Sequence, residues 1–183
     1  MLSDNHNELK MSLKELRDSI KLNKRFWRHI LTTNCYAYAL GLDIKEKNIK
    51  DYAYIVGTLS DSKEFLFHCS MLKYSVLLEN LINDFEYLGL DFQETDPLKE
   101  VCQEEWKIAL FTSVVGYDMD DELIDDYHFL RQKDNGLWYH KKGWNWNSIP
   151  TNKDINHRLI TNPLECNLGA YNYKKCYSLK LKK

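Results

Sequence analysis

Apolar and polar positions in this chain recur first with a helical period and later with a strand period. Over residues 6–31, Leu9, Leu13, Leu16 and Ile20 recur at helical spacing, and the face continues through Trp27 and Leu31, which predicts one or two amphipathic helices. Thr32, Thr33 and Asn34 are N-cap types, Ala37, Ala39 and Leu40 are good helix formers, and Gly41 is a natural stop. That predicts a short helix with Cys35 in its first turn. Residues 43–60 show no clear period. Asp61-x-x-Glu64 then has the form of a capping pair. An apolar face of Met71/Leu72, Val76, Leu77/Leu78, Leu81/Ile82, Phe85 and Leu88 predicts a long helix from Asp61 to about Leu88, ended by Gly89. Asp96-Pro97 opens a short helical turn.

Past this point the period shortens. Glu105–Val115 is the most hydrophobic run and predicts the central strand, while Gly116–Asp126 reads as an acidic loop. Tyr127–Gln132 and Leu137–Lys141 read as the arms of a hairpin around the turn signal Lys133–Gly136, KDNG. Two loop lengths fit. A three-residue loop, Asp134–Asn135–Gly136 with Gly136 at positive φ, pairs Lys133 with Leu137 and sets Leu130 opposite His140. His128 then lies on the same face, roughly 7–8 Å from His140 at Cβ. A two-residue Asn135–Gly136 loop flips the parity and takes His140 off that face. An aromatic and Asn-rich loop follows over residues 144–154, and Lys174–Leu181 predicts the last strand. Helices first and strands second make an α+β protein, with helices packed on an antiparallel sheet.

Composition narrows the partners more than the fold. At 183 residues, 44% hydrophobic and 28% charged, the chain is an ordinary globular domain. A formal net charge of −2 gives no field that would recruit a polyanion, so no nucleic-acid partner is expected. Cys35, Cys69, Cys102, Cys166 and Cys176 are widely spaced with no C-x-x-C pair, which points to a reducing compartment. There is no signal-peptide pattern and no run of membrane-spanning length. A cytoplasmic protein is expected, or one released without a Sec signal by a phage-lysis or toxin route. The basic stripe Lys10, Lys14, Arg17, Lys21, Lys24, Arg25 and Arg28 has two readings: an arm that touches an anionic membrane surface or a partner, or the solvated side of a helix packed on the core.

The chemistry centres on Cys35. A thiol in the first turn of a helix meets unpaired N–H groups that stabilise a thiolate and can receive an oxyanion, with Asn34 and Tyr36 flanking it in support. A histidine within reach would take the thiol proton and return it to the leaving group, and a third polar group would fix that imidazole's tautomer. Cys35, His128 and His140 fill these places in chain order. The same three side chains also form a plausible zinc set. The carboxylates from Asp118 to Asp126 offer oxygen ligands to calcium but lack the pattern of an EF-hand loop, and a solvated loop is the plainer reading. His68 and Cys69 are adjacent and would diverge on a helix. Trp144 and Trp146, beside Asn145 and Asn147, suggest a sugar or peptide platform at a groove edge, or packing under a long loop.

N-C-Y-A-Y-A-L, D-Y-H-F-L-R-Q, G-L-W-Y-H-K-K-G and I-T-N-P together resemble a bacterial and phage branch of the papain-like cysteine hydrolases, of NlpC/P60 type. The resemblance runs from about Asn34 to Leu181 and implies two parts: a helical arm over residues 1–33 and a papain-like domain over residues 34–183. It implies Cys35 as nucleophile, His128 as base and His140 as the orienting residue, with no cofactor and no metal. The family's usual Asp-Cys-Ser is Asn34-Cys35-Tyr36 here, and the interval to His128 is longer. The activity implied is hydrolysis of an amide bond in a peptide, a protein or peptidoglycan through an acyl-enzyme. Acyl transfer or deamidation would use the same triad, and a non-catalytic binding or inhibitor protein would use the same fold.

Overall fold

The computed structural model describes residues 34–42, 55–62, 71–141 and 149–182. In chain order these form α1 (Cys35–Leu40), β1 (Leu72–Lys73), α2 (Tyr74–Tyr87), β2 (Leu90–Glu94), β3 (Trp106–Asp118), β4 (Asp121–Gln132), β5 (Trp138–His140) and β6 (Asn172–Leu181). The helices expected over residues 6–31, the pair His68-Cys69, and Trp144 with Trp146 lie outside the described residues, as does most of the stretch 43–60.

The architecture is α+β. Its strands form one antiparallel sheet in the order β1-β4-β3-β6-β2, with β5 also pairing to β4. β3 lies between β4 and β6, the central place expected for Glu105–Val115. Its run of apolar residues has a physical reason: both of its faces are covered. Ile108 and Leu110 point into a large core with α1, α2, Tyr127, Phe129, Tyr177 and Leu179. Ala109 and Phe111 point the other way, into a smaller core with Leu130, Trp138, Ile160, Leu168 and Cys176. Residues 151–169, which form no helix or strand, close that second face.

Two expectations are corrected. The helix does not begin at Asp61, which sits in a turn at φ 61°. It begins at Tyr74, because Leu72 and Lys73 pair with Ile124 and Leu123 of β4 as a short strand. No side chain caps α2 at Lys73; instead Ser75 donates to Asp121 of β4 at 2.5 Å, a tertiary contact in place of a local cap. Nor is Gly116–Asp126 a loop. β3 and β4 continue as an antiparallel ribbon to Asp118 and Asp121, turning at Met119 and Asp120. Its carboxylates are partly offset across strands, Asp118 by Lys73 at 2.6 Å and Glu122 by Lys174 at 2.5 Å. The end of α2 is as expected, with Gly89 at φ 65° following the last turn.

One face of α2 buries Leu77, Leu81, Phe85 and Leu88, each contributing at most about 1.5–3 kcal/mol. The same face carries Asp84, which is fully buried. Its carboxylate accepts from Tyr36 Oη (2.9 Å), Gly57 N (2.7 Å), Ser60 N (2.9 Å) and Ser60 Oγ (2.7 Å). Burial raises its pKa, and these donors offset only part of that. The network ties α1, α2 and the turn at 55–62 into one body.

Candidate active site

The outer edge of β4 pairs with β1 at Leu123–Ile124 and with β5 at Leu130–Gln132. Between them, Asp125–Phe129 has no strand partner on that side among the described residues. The start of α1 lies against this gap. The backbone N–H groups of Phe129, Tyr36 and Cys35 lie close enough to the Cys35 sulfur to favour its thiolate, and the Tyr36 and Phe129 rings pack at 5.1 Å.

Local chemistry defines α1 at both ends. The Asn34 side chain accepts from Ala37 N at 2.8 Å, an N-cap bond, so this amide serves the helix. Gly41, at φ 78°, closes the other end, with its N–H to Tyr38 O and that of Leu42 to Ala37 O. Arg131 Nη1 and Trp106 Nε1 both reach Ala39 O, at 3.4 and 3.3 Å, setting a cation at the helix C-terminus. Every residue of α1 is buried. The Tyr36 hydroxyl is committed to Asp84, leaving its backbone N–H as the group at the sulfur.

Cys35 is 5% exposed and belongs to the larger core, so its thiol is closed in and does not stand open at the helix start. Burial pushes the thiol up to about 12, against the three backbone donors, with Asp126 adding to the rise. At neutral pH it is a protonated thiol.

The hairpin has the three-residue loop. Gly136 is at φ 77°, Gly136 N bonds to Lys133 O at 2.8 Å, Lys133 N to Leu137 O at 3.0 Å, and Leu130 pairs with His140. His128 and His140 therefore share a face, with ring centroids 5.0 Å apart and His128 Nε2 2.8 Å from His140 Nδ1. His140 Nε2 lies 3.0 Å from Lys153 O. A carbonyl only accepts, so His140 carries its proton on Nε2. Its Nδ1 is then an acceptor, and His128 must donate from Nε2. The lone pair of neutral His128 is left on Nδ1. Burial first, and the neighbouring His140 second, push His128 down to about 3. Tyr171 stacks on His128 at 5.4 Å between centroids and donates to Asp126.

Phe129 and Tyr127 face the larger core with Cys35, whereas His128 and its cross-strand partner Phe111 face the smaller one. Thiol and imidazole therefore come from opposite faces of β4 at the gap in its edge. Among the described residues they are not hydrogen-bonded to each other. Lys141, next after His140, is fully buried, and burial lowers its ammonium to about 8 while the Cys35 thiol acts in the opposite direction.

Among the described residues no three His, Cys, Asp or Glu side chains are grouped to hold a metal ion. His128 and His140 bond each other directly, and the ribbon carboxylates are spread along two strands, so neither the zinc nor the calcium reading finds a ligand set. No helix among the described residues is long and apolar enough to cross a membrane. Sequence reasoning missed Lys153 O, which contributes through its backbone and has no side-chain signature. Tyr171 and Lys141 are visible in sequence only as an aromatic and a cation near the expected strands. No family model, curated protein or solved structure matches this chain.

Proposed function

We propose that the chain is a papain-like thiol hydrolase of amide bonds, with Cys35 as nucleophile, His128 as base and His140 as the residue that orients it. The observation that carries this is the hydrogen-bond relay Lys153 O–His140–His128, which leaves the basic lone pair on His128 Nδ1, one residue along β4 from Phe129, whose backbone N–H favours the Cys35 thiolate. With thiol and imidazole both neutral at rest, proton transfer accompanies attack. The sulfur adds to the amide carbonyl carbon as its proton passes to His128 Nδ1. The imidazolium then protonates the departing amine, leaving a thioester. Water, losing its proton to His128, attacks the thioester and restores the thiol with release of the acid. Backbone N–H groups at the start of α1 would receive the oxyanion. The substrate class follows from the family resemblance: a peptide, a protein or a peptidoglycan crosslink.

The test is alkylation of the native protein by iodoacetamide, with the modified residue found by mass spectrometry. Cys35 should react at neutral pH, and His128→Ala should slow it on the order of 100-fold, the usual size of a general-base contribution. An inert Cys35 beside a labelled Cys102, which is exposed, would falsify the reading.

A second reading rests on the burial of the same sulfur. With Cys35 closed into the core, the fold would serve as a binding or inhibitor domain. Cys35→Ala would then keep its full biological effect, whereas the hydrolase reading requires that effect to vanish.

A further inference from the structure

A carbonyl orients an imidazole only if its own peptide plane is held. Lys153 O belongs to the peptide unit that joins Lys153 to Asp154, and both ends of that unit are engaged. The carbonyl receives His140 Nε2–H at 3.0 Å, and the Asp154 N–H donates to Arg158 O at 2.9 Å. The surrounding chain, residues 151–169, has no helix or strand to stiffen it. What it has instead is the Asp154 carboxylate, 6% exposed at its centre. Oδ1 accepts from Asn156 N and Arg158 N, both at 2.9 Å. Oδ2 accepts from Asn167 N at 3.3 Å and Arg158 Nη2 at 3.4 Å. The next residue, Ile155, also bonds Asn167, through its N–H to Asn167 O at 3.0 Å. One carboxylate thus gathers the turn at 154–158 and the returning strand of chain at 167. Burial works against its charge, but the backbone donors of Arg158, Asn167 and Asn156 and the Arg158 guanidinium outweigh it, so its pKa lies below the ordinary value. On the other side of the Lys153 carbonyl, Thr151 and His140 exchange backbone hydrogen bonds at 2.8 and 2.9 Å. The carbonyl is therefore pinned between a strand pairing and a carboxylate-centred turn.

We propose that Asp154 is a positioning residue for the histidine pair: by holding the Lys153–Asp154 peptide it keeps His140 protonated on Nε2, which in turn keeps His128 protonated on Nε2 and basic on Nδ1. Without the carboxylate, the carbonyl turns away and His140 is released to carry its proton on either nitrogen. His128 then loses its fixed acceptor, and its own proton can move to Nδ1, the atom that must accept. Outer partners that fix the tautomer of a metal-bound imidazole are worth about 10–100-fold, and the low end of that range is the effect expected for this metal-free pair. That His128 acts as base rests on the hydrolase reading; the tautomer assignment does not.

The experiment is performed on the isotope-labelled full chain, reading the tautomer of each histidine from its ring-nitrogen chemical shifts at neutral pH. In the wild type, His128 and His140 should both carry the proton on Nε2; Nδ1–H on either ring overturns the proposal whether or not any variant folds. Asp154→Ala, with folding checked by near-ultraviolet circular dichroism, should give mixed tautomers on both rings and slow Cys35 alkylation about tenfold. Unchanged tautomers in the folded variant overturn it. Asp154→Asn keeps an oxygen for the Asn156 and Arg158 N–H groups but turns a donor towards Asn167 N and Arg158 Nη2, so its tautomers should fall between those of wild type and Asp154→Ala; tautomers no nearer to wild type than those of Asp154→Ala overturn the hydrogen-bond mechanism. If the tautomers respond as stated while His128→Ala leaves Cys35 alkylation unchanged, the positioning role stands and the hydrolase reading falls.

Discussion

His128 Nε2 lies 2.8 Å from His140 Nδ1, and both rings are buried. The pair is therefore stable only while His128 stays neutral. Its pKa falls from an ordinary 6.5 to about 3 in the folded chain. Between those values the unfolded chain binds the extra proton and the folded chain does not, so stability is complete above about pH 6.5 and is lost as the pH falls towards 3. Each pH unit in that window removes on the order of 1 kcal/mol. Urea unfolding of wild type and His128→Gln at pH 7 and pH 4 checks this, with the stability gap between them expected to narrow in acid.

The pH profile of Cys35 alkylation separates two routes to the same product. A bare thiolate forms tenfold more often for each pH unit up to the thiol's pKa of about 12. A thiol whose proton passes to neutral His128 during attack has a flat rate from about pH 5 to 8, since His128 is already deprotonated there. Wild type should follow the flat profile and His128→Ala the rising one. A tenfold rise per unit in wild type would remove His128 from the reaction.

Gly41→Ala should destabilise the fold by about 2–3 kcal/mol. Its φ of 78° disfavours any side chain, and a Cβ there would sit 2.4 Å from Arg131 Nη1, displacing the guanidinium that bonds Ala39 O. Denaturant unfolding at neutral pH measures it, and a change under 1 kcal/mol would count against the close approach.

Removal of the Asp84 carboxylate leaves the Gly57 and Ser60 N–H groups and the Tyr36 hydroxyl without their acceptor, while Ser60 Oγ still has Gly57 O and Ser62 Oγ within reach. Asp84→Ala should therefore cost at least about 3 kcal/mol, far more than an exposed substitution such as Asp134→Ala. Equal midpoints for the two variants would contradict the network.

Deletion of Asn135 tests the register of the hairpin. A loop one residue shorter reverses the parity of β5, so either His140 leaves the His128 face or the pairing breaks. The ring-nitrogen shifts of His128 should lose their hydrogen-bonded signature while the larger core, to which β5 contributes no residue, keeps its circular dichroism.

Much of this was legible from local signals. Asn34 and Gly41 bound α1 because capping needs only a side-chain oxygen at one end and a positive φ at the other, and both are written within eight residues. Lys133–Gly136 likewise signals a turn in its own chemistry, though not the length of the loop. The helix start at Asp61 was misread because the apolar positions Met71 and Leu72 suit a helix face as well as a strand, and pairing with Ile124 and Leu123 decided for the strand. The ribbon at Gly116–Asp126 escapes the sequence because only Ile124 of its residues is buried in the core, and one buried position gives no apolar alternation. Their carboxylates find cations on residues as distant as Lys174.

From sequence alone come the α+β class, the short capped helix that begins at Cys35, the central strand and the candidate trio itself, because periodicity, caps and turn residues act over a few neighbouring positions. Tertiary structure alone decided the three-residue loop that brings the two imidazoles together, the burial of the sulfur and the carbonyl that sets the tautomers. Those depend on hydrogen bonds and packing between segments far apart in the chain, where a contact forms only if the whole sheet closes around it.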